Sequence, residues 1–385
     1  MSPRTPFYRF VLILNLPANQ PVLRDTADIE RVILEDIPLL DVRAPIEYER
    51  GCIGDAENIP LLDNKQREMV GTEYADKGHD AALELGLRQA TDEVKASRVR
   101  QWSQFTERNP EGYLYCFRGG LRSAITQQWL QEAGIEYPRI IGGYKAMRSY
   151  LLQQFERLAA EGNILVLASP TGCGKTNLIC RLSQSVDIEG LAKHRGSAFG
   201  SLFVPQPSQI NWENQVASEW LKVSRKSAQP VMFESESHLI GRISLPEFLQ
   251  NALRAAPVVE LVASTQDRIK QIRVDYIGTA MNTYRQTMTE DECYQQLETY
   301  ISHSLSRIQR RLGGERHKRL SALVPTAVAE LKAGSSTVSL DLIVKTLLHD
   351  YYDPLYAHKM IGREDQVVFK GSADEIVSWL RECPA

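Results

Sequence analysis

Apolar residues gather along this chain in short continuous runs. Each run ends in a turn, and a segment with helical spacing usually follows. Residues 37–43 (IPLLDVR), 112–116 (GYLYC) and 139–143 (RIIGG) read as strands of a first unit, with short helices predicted over 46–50 and 124–133. In the latter helix Ile125, Trp129 and Leu130 fall on one side, and Gly134 closes it. Residues 56–60 return to extended chain. A second series follows: 163–168 (NILVLA), 231–233 (VMF), 257–263 (PVVELVA) and 366–369 (QVVF). A run apolar at every position suits a strand buried on both faces. Between the series, Leu151, Phe155, Leu158 and Ala159 predict a helix over 148–160, and another is expected around 267–276. Strand, loop, helix, strand is the alternation of a parallel α/β sheet. No Pro/Ser-rich linker separates the series, so the two units are expected to pack rigidly together.

Composition narrows the class. The 385 residues suffice for two or three domains, with 43% hydrophobic and 24% charged residues, as in soluble globular proteins. Disordered, collagen-like and polytopic membrane chains are excluded. A formal charge of −3 also excludes bulk histone-like binding of nucleic acid, while leaving room for a local basic surface. The six cysteines are scattered without a CxxC pair, which points to reduced thiols and a cytoplasmic protein. The apolar run 7–16 is too short to span a membrane, and it reads as an upstream extension or an edge strand.

Chemistry is concentrated in two loops. Cys116 ends a predicted strand and opens CFRGGLRS (116–123) before a helix. Backbone N–H groups curl inward there, aided by Gly119 and Gly120, while Arg118 and Arg122 add positive charge and Ser123 closes the loop. Such a site favours a thiolate and cradles an anion. The second loop, SPTGCGKT (169–176), joins a strand to a helix and matches GxxxxGK[ST] except for Ser169 at the first position. Gly172, Cys173 and Gly174 offer backbone N–H groups to phosphate oxygens, Lys175 reaches the outer phosphates, and Thr176 is placed to ligate Mg²⁺. Glu234 and Glu236 end the 231–233 strand where a Walker-B acid belongs. They read either as metal ligands or acid/base groups, or as solvent-facing carboxylates. Two basic segments remain. Lys193, His194 and Arg195 lie in a Gly-rich stretch suited to closing over a phosphate ligand. Arg307, Arg310, Arg311, Arg316, Lys318 and Arg319 are spread over a predicted helical hairpin suited to phosphate-backbone contact.

Residues 41–60 (DVRAPIEYERGCIGDAENIP) resemble the opening signature of rhodanese domains, with Cys52 where that signature usually has His, and 142–146 (GGYKA) resembles the closing one. The Cys-x5-Arg spacing is one residue longer than the usual rhodanese loop. It also resembles the loop of dual-specificity phosphatases, although Tyr115, not His, precedes the cysteine. Fusion of such a domain to a P-loop domain resembles the bacterial tRNA 2-selenouridine synthase family. The most telling stretches are 71–74, 78–86, 116–123, 187–200 and 351–354.

The resemblance implies an α/β fold: an N-terminal extension (1–27), a rhodanese-like parallel-sheet domain (28–150), a P-loop NTPase-like domain (151–290) and a mostly helical, tRNA-binding C-terminal region (291–385). It implies a transferase that geranylates the 2-thio group of a wobble 2-thiouridine with geranyl diphosphate. Selenium from selenophosphate then replaces S-geranyl through a selanylated Cys116. On that reading Arg118, Gly119, Gly120, Arg122 and Ser123 hold selenophosphate, residues 172–176 hold the diphosphate, and Gly86 admits the geranyl chain, so that a bulkier residue there blocks geranylation first. No tightly bound cofactor and no membrane partner are implied, and Mg²⁺ stays an open question. An ATP-dependent tRNA sulfurtransferase or a P-loop kinase with a rhodanese partner domain is the alternative.

Overall fold

The computed structural model describes residues 24–201 and 203–382; the 7–16 run and Cys383 lie outside the described residues. Two separate parallel sheets form. The first orders its strands β2-β1-β3, from β1 (Leu39–Asp41), β2 (Glu57–Asn58) and β3 (Tyr113–Tyr115). The strand expected over 139–143 is reduced to single bridges, Leu114 with Arg139 and Thr26 with Ile140. Pro138 just before it has no N–H to donate, and Gly142 and Gly143 turn left-handed at its end (φ 78° and 56°).

The second sheet comprises β4 (Ile164–Ala168), β5 (Ser185–Val186), β6 (Val231–Glu234), β9 (Val258–Leu261) and β10 (Val367–Gly371), with a small antiparallel hairpin, β7 (Leu239–Ile240) and β8 (Ile243–Ser244), between β6 and β9. Its order is β10-β9-β4-β6-β5, with every pairing parallel. From β4 the chain crosses to the edge strand β5, returns to β6 beside β4, and then passes to the other side for β9 and β10; an α/β sheet opens its binding crevice beyond the strand ends at such a switch point. The last strand comes from the stretch expected to be mostly helical, so the C-terminal residues complete this sheet as well as covering it.

The long helix Gly143–Glu161 carries the chain from one sheet to the next, starting five residues earlier than the apolar spacing indicates. Its Phe155 is fully buried against Trp220 and Phe248, at ring distances of 6.0 and 4.9 Å. One apolar cluster runs from Val32 and Tyr115 through Leu151 to Trp212 and Phe233, spanning both units. Polar ties reinforce it. Asn214 Nδ2 donates to the Cys52 carbonyl at 2.7 Å, Asn211 Oδ1 accepts from the Cys52 N–H at 2.7 Å, and Lys222 pairs with Asp36 at 2.6 Å. The units share one core, as the missing linker leads one to expect.

The helices Glu290–Leu312 and Gly314–Ala333 form the expected basic hairpin, hinged at Gly313 (φ 90°). The helix expected over 267–276 begins at Thr265 but widens into a π-helical turn, Arg273–Gly278, before continuing as Thr279–Tyr284. Among the described residues, no helix is long and apolar enough to cross a membrane.

Candidate functional site

Cys116 sits one residue past β3, with the helix Leu121–Glu132 starting behind it. The loop is held from below by the Gly142–Gly143 turn: Tyr144 N–H donates to the Cys116 carbonyl and Lys145 N–H to that of Phe117, both at 2.9 Å. A Cβ on Gly143 would lie 2.2 Å from the Cys116 carbonyl oxygen, and one on Gly119 would lie 2.8 Å from the Gly142 nitrogen. Gly120 has open space around it, so its role is not steric. The opening signature is structural here. Asp41 and Arg43 form a buried bidentate pair, Arg43 Nη2 also donates to the Gly51 carbonyl at 2.6 Å, and its guanidinium lies 3.9 Å from the Tyr144 ring.

The Cys116 sulfur lies 3.3 Å from the Ser123 hydroxyl. Burial pushes the thiol up, but hydrogen bonds from the Ser123 side chain and N–H, the Arg122 charge and the Arg118 N–H outweigh it, and the thiol sits below its usual range. Arg122 is engaged by Glu47, at 2.5 and 3.0 Å, which sequence reasoning passed over inside the opening signature. Arg118 is exposed beside the Phe117 ring, so of the two arginines it is the one available to a ligand.

An apolar cavity of about 260 Å³ opens beside this loop. Leu121, Arg122 and Ile125 wall one side, and Val70, Leu83 and Gly86 the other. Gly86, in the helix His79–Gln89, has Val70 Cγ2 as the nearest atom to a Cβ, at 3.9 Å.

The second loop lies at the end of β4 and lines another cavity of about 260 Å³ together with Glu189, Arg195, Glu236, Tyr276, Tyr352 and Lys359. Gly172 and Gly174 adopt φ of 86° and 83°, and a Cβ on Gly172 would lie 2.9 Å from Ile272 Cδ1. Lys175 pairs with Glu236 at 3.1 Å. Three glutamates meet here. Burial raises Glu236, yet Lys175, a Glu189 hydrogen bond and Lys359 outweigh that and hold it below the usual range. Burial and the Glu236 charge push Glu189 well up. Burial and the charges of Asp187 and Glu189 do the same to Glu234, whose Oε2 accepts from the Ile188 N–H at 3.1 Å while Oε1 is unpartnered. One carboxylate thus faces Lys175 and two carboxyls keep their protons, so Glu234 and Glu236 are not solvent-facing. Among the described residues, no three His, Cys, Asp or Glu side chains are spaced to hold a metal ion by themselves.

Glu189, Lys359 and the Arg268–Asp353 pair were not singled out from sequence. Desolvation lowers Lys359 to about 8, against the pull of Glu236, though its outer side is open to solvent, which tempers the shift. Lys359 Nζ donates to the Ser235 carbonyl at 2.7 Å. Arg268 donates to the Thr171 carbonyl at 2.8 Å and is clamped by Asp353 at 2.5 and 3.2 Å. The YYDP stretch (351–354) therefore braces the phosphate loop.

The basic residues divide. Lys193 is exposed, His194 is buried and accepts from the Gly196 N–H, and Arg195 pairs with Asp275 at 2.9 Å inside the phosphate cavity. Arg307, Arg310 and Arg311 line a groove of about 600 Å³ that shares Gly196, Ser197, Ser237, Tyr352 and Leu355 with that cavity. Arg316, Lys318 and Arg319 are exposed on the next helix, with Arg316 paired to Asp350 at 3.0 Å. The Gly86 cavity and the phosphate cavity have no lining residue in common.

The family model described as the tRNA 2-selenouridine synthase AAA domain matches residues 162–384. Relatives are similar over most of the chain. A tRNA 2-selenouridine synthase of Marinobacter nauticus is 40% identical over 357 residues, covering 93% of this chain and 97% of its own. One of Cupriavidus pinatubonensis is 42% identical over 359 residues, covering 93% and 98%. One of Hahella chejuensis is 43% identical over 351 residues, covering 91% and 92%.

Proposed function

The chain belongs to the tRNA 2-selenouridine synthase family, and from that premise we propose that it is a cytoplasmic transferase acting on the wobble 2-thiouridine of tRNA in two steps. A thiocarbonyl sulfur leaves carbon poorly. Geranylation by geranyl diphosphate turns it into a thiol leaving group, which selenium from selenophosphate then displaces. The observation that carries this reading is the Cys116 thiol, held below its usual range inside an amide-lined loop with a free arginine beside it. In the proposal the Cys116 thiolate attacks selenium and leaves phosphite. The Cys116–Se⁻ so formed displaces geranylthiol from C2. A second thiol then cleaves the S–Se bond, forming a disulfide with Cys116 and leaving selenium on the base. Arg118 and the N–H groups of residues 119–123 hold the phosphate end of selenophosphate, and Arg122 acts from behind with Glu47 fixing its plane.

Residues 172–176 bind a phosphate-bearing ligand, for which Lys175 exchanges Glu236. An Mg²⁺ ion carried with that ligand would take the Thr176 hydroxyl and the Glu236 carboxylate so released. The groove of Arg307, Arg310 and Arg311 carries the tRNA backbone to the mouth of the phosphate cavity, with Lys193, Arg316, Lys318 and Arg319 as outlying contacts. The base is splayed from the anticodon loop to reach the chemistry, as single-stranded bases are in other base-modifying enzymes.

Cys116→Ser tests the reading. Supplied with geranylated tRNA and selenophosphate, the variant should form no 2-selenouridine. Selenation at the normal rate removes Cys116 from the mechanism. ATP hydrolysis stimulated by tRNA, with no response to geranyl diphosphate, would favour a nucleotide-dependent sulfurtransferase instead.

A further inference from the structure

We propose that Phe117 is the stacking platform for the uracil being modified, and that its ring holds the splayed base at the mouth of the Cys116 loop. This inference rests on the reading above, in which Cys116 carries the selenium, and adds how that site grips its RNA substrate. Three observations carry it. The first is exposure. Phe117 is 39% exposed, although it directly follows the buried strand Tyr113–Tyr115 and the buried Cys116. Leu121 and Ile141, beside the loop, are exposed as well. The second is fixation. The Phe117 carbonyl accepts from the Lys145 N–H at 2.9 Å, and its ring stacks on Tyr144, with centroids 6.2 Å apart and planes 25° from parallel. Tyr144 is buried, with the Arg43 guanidinium 3.9 Å from its ring centroid, and Arg43 is locked by Asp41 and the Gly51 carbonyl. A ring braced from the core loses little conformational freedom when a base settles on it. The third is charge. The Arg118 guanidinium lies 5.8 Å from the Phe117 ring centroid, and Lys145 stands at the start of the helix that pins the loop. Both are exposed, and among the described residues neither enters an ion pair.

Together these fit one occupant, an unpaired base of an RNA. Proteins grip single-stranded nucleic acid by stacking bases on aromatic rings and meeting the backbone with cations. An aliphatic chain, or the apolar face of a second copy, would not call for two unpaired cations at the rim. Stacking is blind to base identity, because every base has a π face. Phe117 therefore sets the position of the base beside the sulfur, and the choice of uridine falls to other contacts. The same stack gives the buried Asp41–Arg43 pair a place in the site: it braces Tyr144, and Tyr144 braces the platform.

The test uses an anticodon stem-loop RNA with 2-thiouridine at the wobble position. Its affinity for Phe117→Ala should fall about 5- to 150-fold, the equivalent of about 1–3 kcal/mol for one stacked base. Phe117→Trp should keep the affinity, and Phe117→Leu, apolar but without a π face, should lose most of it. The same stem-loop carrying 5-iodouridine at the wobble position, irradiated on the unaltered protein, should crosslink to Phe117. Normal affinity in Phe117→Ala overturns the inference, as does a crosslink confined to residues 194–311 or 351–355 of the basic groove. Affinity kept by Phe117→Leu would mean apolar cover rather than stacking, and overturns it too. So does a Phe117→Ala protein that binds RNA normally but changes its oligomeric state, which would make this face a contact between copies. Should Phe117→Ala fail to fold, the crosslink on the unaltered protein decides. The two-step reading is judged separately. It stands if Cys116→Ser abolishes selenation, whatever Phe117 does, and both fall if Cys116→Ser selenates normally and the crosslink lies elsewhere.

Discussion

Replacing Ser123 by alanine probes the Cys116 thiolate with little change in shape. The hydroxyl lies 3.3 Å from the sulfur and 2.9 Å from the Gly120 carbonyl, but it has one proton to give. While sulfur is protonated, that proton satisfies Gly120. When sulfur is ionised, the hydroxyl turns to it and the carbonyl bond is given up. A hydrogen bond to a charged group contributes about 1.5–3 kcal/mol and a neutral one about 1 kcal/mol, so the net gain to the thiolate is about 1 kcal/mol. That corresponds to roughly fivefold in thiolate population at pH values where the thiol dominates. The Ser123 N–H and the Arg122 charge remain in the variant. Alkylation by iodoacetamide, followed from pH 5 to 10, should therefore be about fivefold slower at the acid end. The midpoint should move up, and the two proteins should converge at high pH. An unmoved midpoint would refute the assignment. An equal drop at every pH would show that the serine governs access rather than ionisation.

Asp353→Asn removes the carboxylate that clamps Arg268 beneath the phosphate loop. Because Asp353 is 31% exposed, the cost should be about 2–3 kcal/mol, under that of a fully buried pair, and pyrophosphate should bind more weakly. Calorimetry measures both, and unchanged phosphate affinity would separate the clamp from the loop. Glu234 keeps its proton in the fold to a pH above that of the unfolded chain, near 4.5, so its ionisation on unfolding favours the unfolded state as pH rises from there. Glu234→Gln, still able to accept from Ile188, should stabilise the protein at pH 8 and not near pH 4; denaturant melts that show a loss at pH 8 would contradict this. Attack of the Cys116 thiolate on selenium leaves the P–Se electron pair on phosphorus, so phosphite should accompany selanylation. Phosphate alone, seen by phosphorus NMR, would mean that selenium reaches the base while still bound to phosphorus.

Both anion loops were legible because each is a local object: a strand end, a tight turn and a helix start within eight residues. Cys116 and Lys175 stand where that pattern puts them. The supporting residues were not legible, because long-range folding assembles them. Arg268 reaches Thr171 across 97 positions, and Lys359 reaches Ser235 across 124. Glu189 lay in a stretch that reads as a basic connection, and only its burial against Glu236 reveals it. The same holds for the Gly86 cavity. Its walls come from four helices, and one residue of one helix face says nothing about which anion loop it adjoins. His194, read from its basic neighbours, is largely buried yet lines the groove of Arg307, Arg310 and Arg311.

The central claim is that this chain exchanges sulfur for selenium on tRNA through a geranylated intermediate. Mass spectrometry of nucleosides from 2-thiouridine tRNA tests it directly. Incubation with the protein and geranyl diphosphate should yield S-geranyl-2-thiouridine, and subsequent selenophosphate with a thiol reductant should convert it to 2-selenouridine, without ATP at either step. Selenation that proceeds without geranyl diphosphate, or a product mass that appears only with ATP, would contradict the account.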